Sequence, residues 1–551
     1  MKKRCLLLFF IVFSSVLCAQ TPNENLIASI PNASAGSDAW SMKYDYKSGS
    51  WVYSNYDTTS KNYTLVTPKG VSEEFNYLMQ YISLFDASGN SYTITSRNIT
   101  HNTYRNYILK NNEIIAEHDY INEGWAEKDG LIYYTASDSN KSYFITYNTV
   151  SRTFSKSKPY EEIRLVYFPV EFAEGEPLGE VGFTKEGKPF YVAVENNKSF
   201  LVIGDREEKH YGDIDYYGVK FDTDNKPCYI AKSEGKLYEQ RGNTFVVHGT
   251  KEYKKFDWIY GPVVFNQDNK PVYIGQDSTG ENKYRSTVMI GPDAYKTYKG
   301  SIYDLKFAPD GKLMYVVSRE KKDIGGEVIW KNRLYVNKKK SKEYSSIFQI
   351  EFDKSADPVF VATDAAGKSF VVNGDEIISG KFDYIMDKRY LADGSFAYIG
   401  INYGDYEKRV PDENYVYIGA KKFGPFELVS TSDYATGEVI LSDKSGNYVF
   451  LTGENTDKEN YIYKYKVHTN KWTSEQFDNI YELRLAKGKV IFTSGTLVDK
   501  DFYRYNHRLY IDNQPVGGEY SSIFDVRINR EGVMTFIASR GNDIYRVEVK
   551  L

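Results

Sequence analysis

The feature that most constrains the fold of this chain is a short pattern that recurs about every 44 residues. Its clearest copies read aromatic-x-x-acidic-(Gly/Asn)-Lys followed by an apolar run, and they begin at Phe183, Phe221, Phe265 and Phe307. Weaker copies are anchored at Tyr44, Phe85, Ala126, Phe352, Tyr390, Leu485 and Ile528, with one degenerate copy near Asp433. From Tyr44 to Ile528 the chain advances 484 residues in eleven steps, a mean of 44, so the pattern predicts twelve repeat units.

Each unit carries the signals of two β-hairpins. The Asp-Gly, Asp-Asn or Glu-Gly step after the anchor is typical of a tight turn, because these residues tolerate the positive φ that such turns require. A second hairpin begins with runs such as 244–249 and 369–374, each stopped by a glycine, and closes on an aromatic-x-x-Ile signature such as Tyr344 to Ile347. Two hairpins per unit predict a four-stranded antiparallel sheet.

A period of 40–45 residues with four strands per unit is typical of β-propeller blades. The sequence therefore predicts an all-β fold of about twelve four-stranded antiparallel blades. Because single rings usually hold four to eight blades, the favoured division is two tandem propellers, residues 20–300 and 301–551, with a junction near 291–301. A seven-plus-five division, one large ring and an open solenoid of hairpin pairs remain alternatives.

The two ends of the repeat region suggest how the last blade is completed. The chain ends on an alternating strand, 544–551, with no fourth strand after it, and Leu26–Ile30 is a spare strand ahead of the first anchor. We predict that residues 24–32 complete the final blade, because an added strand removes an exposed sheet edge. The spacing from Ala126 to Phe183 exceeds the repeat, which predicts an insertion around 164–180.

Residues 1–19 have the composition of a secretory signal peptide. A basic start, Lys2-Lys3-Arg4, precedes the apolar run 6–13 and a small-residue exit at Ala19. We expect export to the periplasm, the cell surface or the medium. Lipid attachment at Cys18 is an alternative, which Leu17 disfavours because a lipobox has a small residue there. After cleavage Cys228 stands alone, so the mature chain can form no internal disulfide.

Composition narrows the class of partner. The chain carries 70 basic and 74 acidic residues, a net charge of −4, which argues against nucleic acid as a ligand. No later stretch reaches 18 consecutive apolar residues, so no transmembrane segment is expected. The 51 tyrosines favour β-structure, and those at exposed rims would suit protein or sugar contacts.

The chain lacks the common catalytic patterns. It contains neither Gly-x-Ser-x-Gly nor His-Glu-x-x-His, and its six histidines, at 101, 118, 210, 248, 468 and 507, are scattered over different units. We interpret 367–369 as a hairpin turn rather than a phosphate loop, and 222–225 as a turn rather than a calcium loop. The pair Glu161-Glu162 alone supports no glycosidase. No catalytic, cofactor-binding or metal-binding residue, and no cofactor, is therefore assigned.

At Phe307–Ser318 the repeat resembles the Asp-Gly repeat of the TolB-type, WD40-like propeller family. The resemblance covers residues from about 40 to 551 and implies architecture, not activity. We expect an exported, non-enzymatic propeller that binds a protein or an envelope component. The alternative is a carbohydrate-binding or carbohydrate-active propeller with acidic residues in its funnel.

Overall fold

The computed structural model describes residues 22–551 except for a set of internal positions. The excepted positions are 30–41, 58, 80–81, 101–102, 123, 166–180, 238, 240, 281–282, 323–327, 406, 409, 431–437, 458–461 and 500–503. The signal peptide predicted at 1–19 and nearly all of the insertion predicted at 164–180 lie outside the described residues. The described residues contain strands β1 to β52, a 3-10 turn at Tyr216–Gly218 and no α-helix.

The described strands form twelve antiparallel sheets, numbered here along the chain. Sheets 1 to 9 lie in one compact unit, Trp40–Tyr390 with Gly394–Phe426. Sheets 1 to 5 consist of β2 (Met42–Tyr44), β3 (Trp51–Asp57), β4 (Asn62–Thr67) and β5 (Gly70–Val71); β6 (Tyr77–Leu78), β7 (Leu84–Phe85), β8 (Ser91–Thr100), β9 (Thr103–Lys110) and β10 (Glu113–His118); β11 (Tyr120–Ile121), β12 (Ala126–Lys128), β13 (Leu131–Asp138), β14 (Lys141–Asn148) and β15 (Thr153–Lys156); β16 (Glu162–Arg164), β17 (Gly182–Phe183), β18 (Pro189–Glu195), β19 (Lys198–Ile203) and β20 (Arg206–Glu207); and β21 (Asp213–Ile214), β22 (Lys220–Phe221), β23 (Pro227–Lys232), β24 (Thr244–His248) and β25 (Lys251–Glu252).

Sheets 6 to 9 complete this unit. Their strands are β26 (Trp258–Phe265), β27 (Pro271–Gly280), β28 (Lys283–Ile290) and β29 (Asp293–Lys299); β30 (Ser301–Phe307), β31 (Leu313–Lys322), β32 (Val328–Val336) and β33 (Lys339–Lys340); β34 (Ser346–Phe352), β35 (Pro358–Thr363), β36 (Ser369–Asn373) and β37 (Glu376–Ile377); and β38 (Tyr384–Tyr390), β39 (Phe396–Asn402), β40 (Glu413–Ile418) and β41 (Lys421–Phe426).

Sheets 10 to 12 belong to the second compact unit, which comprises 1–39, 391–393 and 427–551. Their strands are β42 (Leu428–Ser430), β43 (Ile440–Ser442), β44 (Tyr448–Asp457) and β45 (Ile462–Thr469); β46 (Asn479–Ala486), β47 (Lys489–Asp499), β48 (Arg504–Ile511) and β49 (Gln514–Tyr520); and β50 (Ser522–Ile528), β51 (Val533–Arg540) and β52 (Asp543–Lys550) with β1 (Asn23–Ser29).

The predicted repeat unit is confirmed. The first strand of a sheet ends at or near each predicted anchor, and in seven units the acidic-Gly or acidic-Asn step forms the turn into the second strand. After Tyr44, Phe85, Phe352 and Leu485 other residues form this turn.

The exception among the anchors is the degenerate copy placed near Asp433. Asp433 itself lies outside the described residues. The first strand is split into β42 and β43, as the first strands of sheets 2 to 5 are, and the turn is Asp443–Gly446, so the anchor is Ser442. The shift arises because 431–437 lengthens this unit between the two half-strands, which a fixed period cannot anticipate.

The aromatic-x-x-Ile signature is the crossover between sheets. Its aromatic residue pairs back onto the third strand, as Tyr344 does with Asn332 and Phe382 with Ser369. Three residues later the isoleucine is already in the first strand of the next sheet, as Ile347 is in β34. The signature therefore ties one sheet to its successor.

Apolar clusters lie between successive sheets within each unit. Between sheets 7 and 8, for example, Val316 and Leu334 pack with Phe360 and Val372, all 2% exposed or less. Similar clusters join sheets 1 to 9 in sequence, and likewise sheets 10 to 12. Sheets 2 to 8 and sheet 11 are apolar on both faces because each packs against two neighbours, as the blades of a propeller do.

The last sheet is completed by the N-terminal segment, as predicted. Strand β1 pairs antiparallel with β52, with Asn23 opposite Glu548 and Ser29 opposite Asp543. Glu24 accepts a hydrogen bond from the Tyr520 hydroxyl and an ion pair from Arg540, 3.2 Å away. Strand β1 thus covers the edge that β52 would otherwise expose.

Candidate functional site: the first strands of sheets 6 to 9

The first strands of the sheets carry a recurrent β-bulge. In sheet 7, Asp304 and Leu305 both face Tyr315, and the φ of Asp304 is +54°. The same irregularity and a φ near +50° recur in the first strands of sheets 8, 11 and 12, at Gln349, Glu482 and Asp525. A positive φ costs a non-glycine residue about 1 kcal/mol, so strained backbone is repeated at one position of the unit.

An acidic side chain lies beside a basic one two residues later in four of the first strands, and in sheets 7, 11 and 12 the acidic residue lies in the bulge. Asp304 lies 3.2 Å from Lys306, and Asp387 lies 3.1 Å from Arg389. The equivalent pairs in sheets 11 and 12, Glu482 with Arg484 and Asp525 with Arg527, are both at 2.9 Å. These side chains are between 16% and 45% exposed, so each of these acid–base pairs is partly solvated.

Side chains of these strands also bind the backbone of the next first strand. Lys306 Nζ donates to the carbonyl of Ile350 at 2.7 Å, and Gln349 Nε2 donates to that of Met386 at 3.1 Å. The Tyr303 hydroxyl donates to the Ile347 carbonyl at 3.3 Å, and burial raises the pKa of Tyr303 to about 12. We call β26, β30, β34 and β38 the first-strand row, because these contacts hold three of its members side by side.

Exposed aromatic rings line the same row. Tyr260 is 42% exposed, and Tyr303 and Tyr384 are each 37% exposed. Phe348 stacks on Tyr384 across two sheets, with ring centroids 6.3 Å apart and planes 10° apart. Trp258 lies beneath the guanidinium of Arg241, 5.2 Å from the ring. Aromatic rings beside arginine are the usual energetic centre of binding surfaces.

One lysine of the row is fully buried. The side chain of Lys388 is 0% exposed, and its Nζ has an ion pair with Glu351 at 3.5 Å but no hydrogen bond to any described residue. Burial lowers the pKa of Lys388 to about 8, against the opposing effect of Glu351. Nearby, Oε1 of Gln349 is also buried without a partner in the described chain. The junction of sheets 8 and 9 therefore holds under-satisfied polar groups, which are costly to maintain.

The residues that the sequence analysis weighed for chemistry lie elsewhere. The segment 367–369 is a turn leading into β36, as predicted, and Asp222 holds the turn 222–226 through its Oδ1 while its Oδ2 contacts His248 at 2.7 Å. Glu162 pairs with Arg164 at 2.9 Å, which lowers the pKa of Glu162. Cys228 is a buried free thiol.

The described histidines have separate partners. His118 contacts Asp138 at 2.9 Å and Tyr134 at 3.3 Å, His210 stacks on Phe200, and His468 contacts Thr452 at 2.8 Å; His101 lies outside the described residues. Within the described part of the chain, no group of three or more His, Cys, Asp or Glu side chains is arranged to hold a metal ion.

The first-strand row was missed by the sequence analysis, although its signal is visible. After the isoleucine of the crossover, the chain reads aromatic-acid-apolar-base in three units, at 303–306, 481–484 and 524–527. A charged pair two residues apart in a strand looks like one solvated face. The β-bulge distinguishes these charged pairs from an ordinary solvated strand face, and residue propensities do not predict a bulge.

The fold and this surface define the chain as a repeat protein built from β-propeller blades. No family model matches the sequence, and no curated protein matches it. The described residues include no helix with the length and hydropathy needed to cross a bilayer.

Several solved β-propeller structures are similar to the chain. The β-propeller domain of the Trilobed protease from Pyrococcus furiosus is 14% identical and covers 52% of this chain and 93% of that one, with a TM-score of 0.25. TolB from Acinetobacter baumannii is 12% identical, and the match covers 54% of this chain and 76% of TolB, with a TM-score of 0.21. An oligogalacturonate lyase in complex with manganese is 11% identical, and the match covers 78% of this chain and 98% of the lyase, with a TM-score of 0.23. The twelve antiparallel sheets of the described chain agree with the TolB-like resemblance at the level of architecture. The likenesses to solved structures imply neither activity nor substrate for this chain.

Proposed function

We propose that this chain is an exported, non-enzymatic propeller that binds a protein partner or an envelope component through its first-strand row. The observation that carries the proposal is the combination, on adjacent strands, of exposed aromatic rings and partly exposed acid–base pairs. Binding surfaces are enriched in aromatic residues and arginine, with charged groups at a solvated rim. Export is proposed from residues 1–19.

A recognition role accounts for the chemistry of the row better than catalysis does. A glycosidase needs two carboxyl groups that face one another across a bond, one of them able to donate a proton. In the row, Asp304 and Asp387 are each paired with a cation of their own strand at 3.1 to 3.2 Å, so each carboxylate already has a partner other than a second carboxylate. Such ion pairs can orient a partner of complementary charge and disfavour a partner that places a like charge against them.

Carbohydrate binding is the second candidate function. It is favoured by the flat, stacked pair Phe348 and Tyr384 and by the exposed ring of Tyr260, because the apolar face of a sugar ring packs on aromatic surfaces. The acid–base pairs would then supply hydrogen bonds to sugar hydroxyls.

The experiment compares two double variants of the mature chain immobilised as bait for envelope extract. Tyr260→Ser with Tyr384→Ser removes two rings of the row, whereas Tyr56→Ser with Tyr104→Ser removes two comparably exposed rings from sheets 1 and 2. We expect the wild type and the second variant to retain the same component and the first to lose at least tenfold of it.

Treatment of the extract separates the two candidates. Loss of the retained component after protease digestion supports a protein partner, and loss after periodate oxidation supports a carbohydrate. Equal retention by both double variants, or turnover of a sugar or peptide substrate by the wild type, would contradict the proposal.

A further inference from the structure

A separate concave site lies along the outer strands of sheets 6 to 8. It is a groove of about 650 Å³, and its basic wall consists of Lys312 and the consecutive residues Lys338, Lys339 and Lys340. Its volume falls within the range of small-molecule sites, 300–1,000 Å³. Its lining comes from the third and fourth strands and from the hairpin turns of sheets 7 and 8, and no residue of β26, β30, β34 or β38 lines it, so it is distinct from the first-strand row.

The lysine wall is placed by a tight hairpin. Asn337, with φ +50°, begins the turn from β32 to β33, and its Oδ1 accepts a hydrogen bond from the Leu313 amide at 2.8 Å. Strand β33 then aligns Lys339 with Val336 and Lys340 with Tyr335. No ion pair links Lys338, Lys339 or Lys340 to a carboxylate among the described residues. Three uncompensated cations in a row are unusual in a chain whose net charge is −4.

The rest of the lining narrows the ligand chemistry. Asp357 and Asp375 lie on the sheet 8 side of the groove, and its apolar surface comes from Leu334, Pro358 and the ring of Tyr295. Lys312 is already ion-paired with Asp310, so Lys338, Lys339 and Lys340 against two aspartates leave the groove net positive, which attracts an anion. The two carboxylates would repel a uniformly charged polyanion, but they are acceptors for hydroxyl groups.

We propose that this groove binds an acidic oligosaccharide. Its carboxylate or sulfate groups would pair with the lysine wall, its hydroxyls would donate to Asp357 and Asp375, and a ring face would pack on Tyr295. A lipid or a nucleic acid provides only part of this set, because the first lacks a row of hydroxyl donors and the second places a phosphate at every residue.

The chain offers a matched control for the test. Lys421 and Lys422 occupy the same register of the equivalent hairpin in sheet 9, opposite Ile418 and Tyr417, and do not line the groove. Calorimetric titration would compare the wild type, Lys339→Gln with Lys340→Gln, and Lys421→Gln with Lys422→Gln. The ligands would be a tetragalacturonate, a heparin hexasaccharide and neutral maltohexaose. Thermal unfolding would verify that all variants fold.

We expect one of the two acidic oligosaccharides to bind, and to lose at least tenfold in affinity in the groove variant but less than twofold in the control. Which one binds identifies the carboxylate or the sulfate as the recognised group. Binding of neither, equal binding of maltohexaose, or equal loss in both variants would overturn the proposal.

A further variant separates sugar recognition from simple attraction of anions. Asp375→Ala removes a negative charge, so a site that senses charge alone would bind the acidic ligand more tightly. If the carboxylate accepts sugar hydroxyls, the affinity falls instead. Tighter binding by Asp375→Ala, or full competition by inorganic phosphate, would therefore contradict the oligosaccharide site. Neither result bears on the first-strand row.

Discussion

Replacing the buried Lys388 by methionine should stabilise the protein at neutral pH. The side chain is fully buried, and its ammonium has a single ion pair to Glu351 at 3.5 Å and no hydrogen bond to the described chain. Methionine has a similar length and no charge, so Lys388→Met keeps the volume of the junction between sheets 8 and 9 and removes the ion. Replacing buried charges by apolar residues of similar volume is often stabilising.

The magnitude follows from the pKa. Burial lowers the pKa of Lys388 from 10.5 to about 8, and at about 1.36 kcal/mol per pH unit this corresponds to about 3 kcal/mol against the charged form. This pKa already includes the opposing effect of Glu351, a side chain that is 48% exposed, so about 3 kcal/mol is an upper bound on the gain from removing the charge. We therefore expect Lys388→Met to raise the free energy of unfolding by about 1–3 kcal/mol at pH 7.

The sign of the pH dependence provides the stricter test. Between pH 8 and 10.5 the unfolded chain binds a proton at this lysine and the folded chain does not, so wild-type stability rises with pH across this window. The methionine variant lacks that rise, and its advantage over the wild type should shrink as the pH approaches 10.5.

Urea unfolding of both proteins at pH 7, 8.5 and 10 would measure this difference. Lys306→Met is the control, because Lys306 is 35% exposed and bonds to the Ile350 carbonyl. It should be destabilising by a similar amount at each pH. A Lys388→Met variant that is less stable than the wild type at pH 7, or whose advantage is constant with pH, would refute the reasoning.

Three further changes have expected outcomes. Gly275→Ala should lower the free energy of unfolding of the protein by about 1–3 kcal/mol, measured by thermal denaturation, because a Cβ there would lie 2.4 Å from the ring of Phe256. Glu482→Gly should raise the free energy of unfolding by about 1 kcal/mol in urea, since glycine adopts a φ of +51° without strain and an exposed ion pair contributes little. Burial lowers the pKa of His468 from 6.5 to about 4, so acid should destabilise the wild type between pH 6.5 and 4. Between pH 7 and 4.5 the free energy of unfolding of His468→Phe should therefore fall by about 2 kcal/mol less than that of the wild type.

The repeat, its turns and the closing strand could be predicted from the sequence because each is encoded locally. An acidic-Gly or acidic-Asn step after the anchor specifies a turn in most units, and the spare strand ahead of Tyr44 matches a missing partner at 544–551. The period failed where a unit departed from its neighbours, at the split first strand that ends in Ser442. The division into propellers at 300/301 stays a prediction.

The first-strand row could not be predicted, because its properties arise between sheets. Lys388 lies in a strand whose neighbours in sequence, Asp387 and Arg389, are partly exposed, and alternation in a single strand gives no sign that its ammonium is enclosed. Packing of sheet 9 on sheet 8 encloses it. The lysine wall of the outer groove is plain in the sequence as 338–340, yet only the facing turns of sheet 8 make it concave.

The residues at the bulge argue that this row is more than a packing device. In sheet 6 the bulge position is occupied by Gly261, with φ +74°, which is the residue that adopts this conformation without strain. Sheets 7 and 8 instead have Asp304 and Gln349 there, at a cost of about 1 kcal/mol each. If the bulge served only to twist the strand, glycine would serve better in every sheet. Asp304 forms an ion pair with Lys306, and Gln349 donates a hydrogen bond to the next first strand. The strained backbone therefore coincides with a fixed arrangement of polar groups, as a binding surface requires.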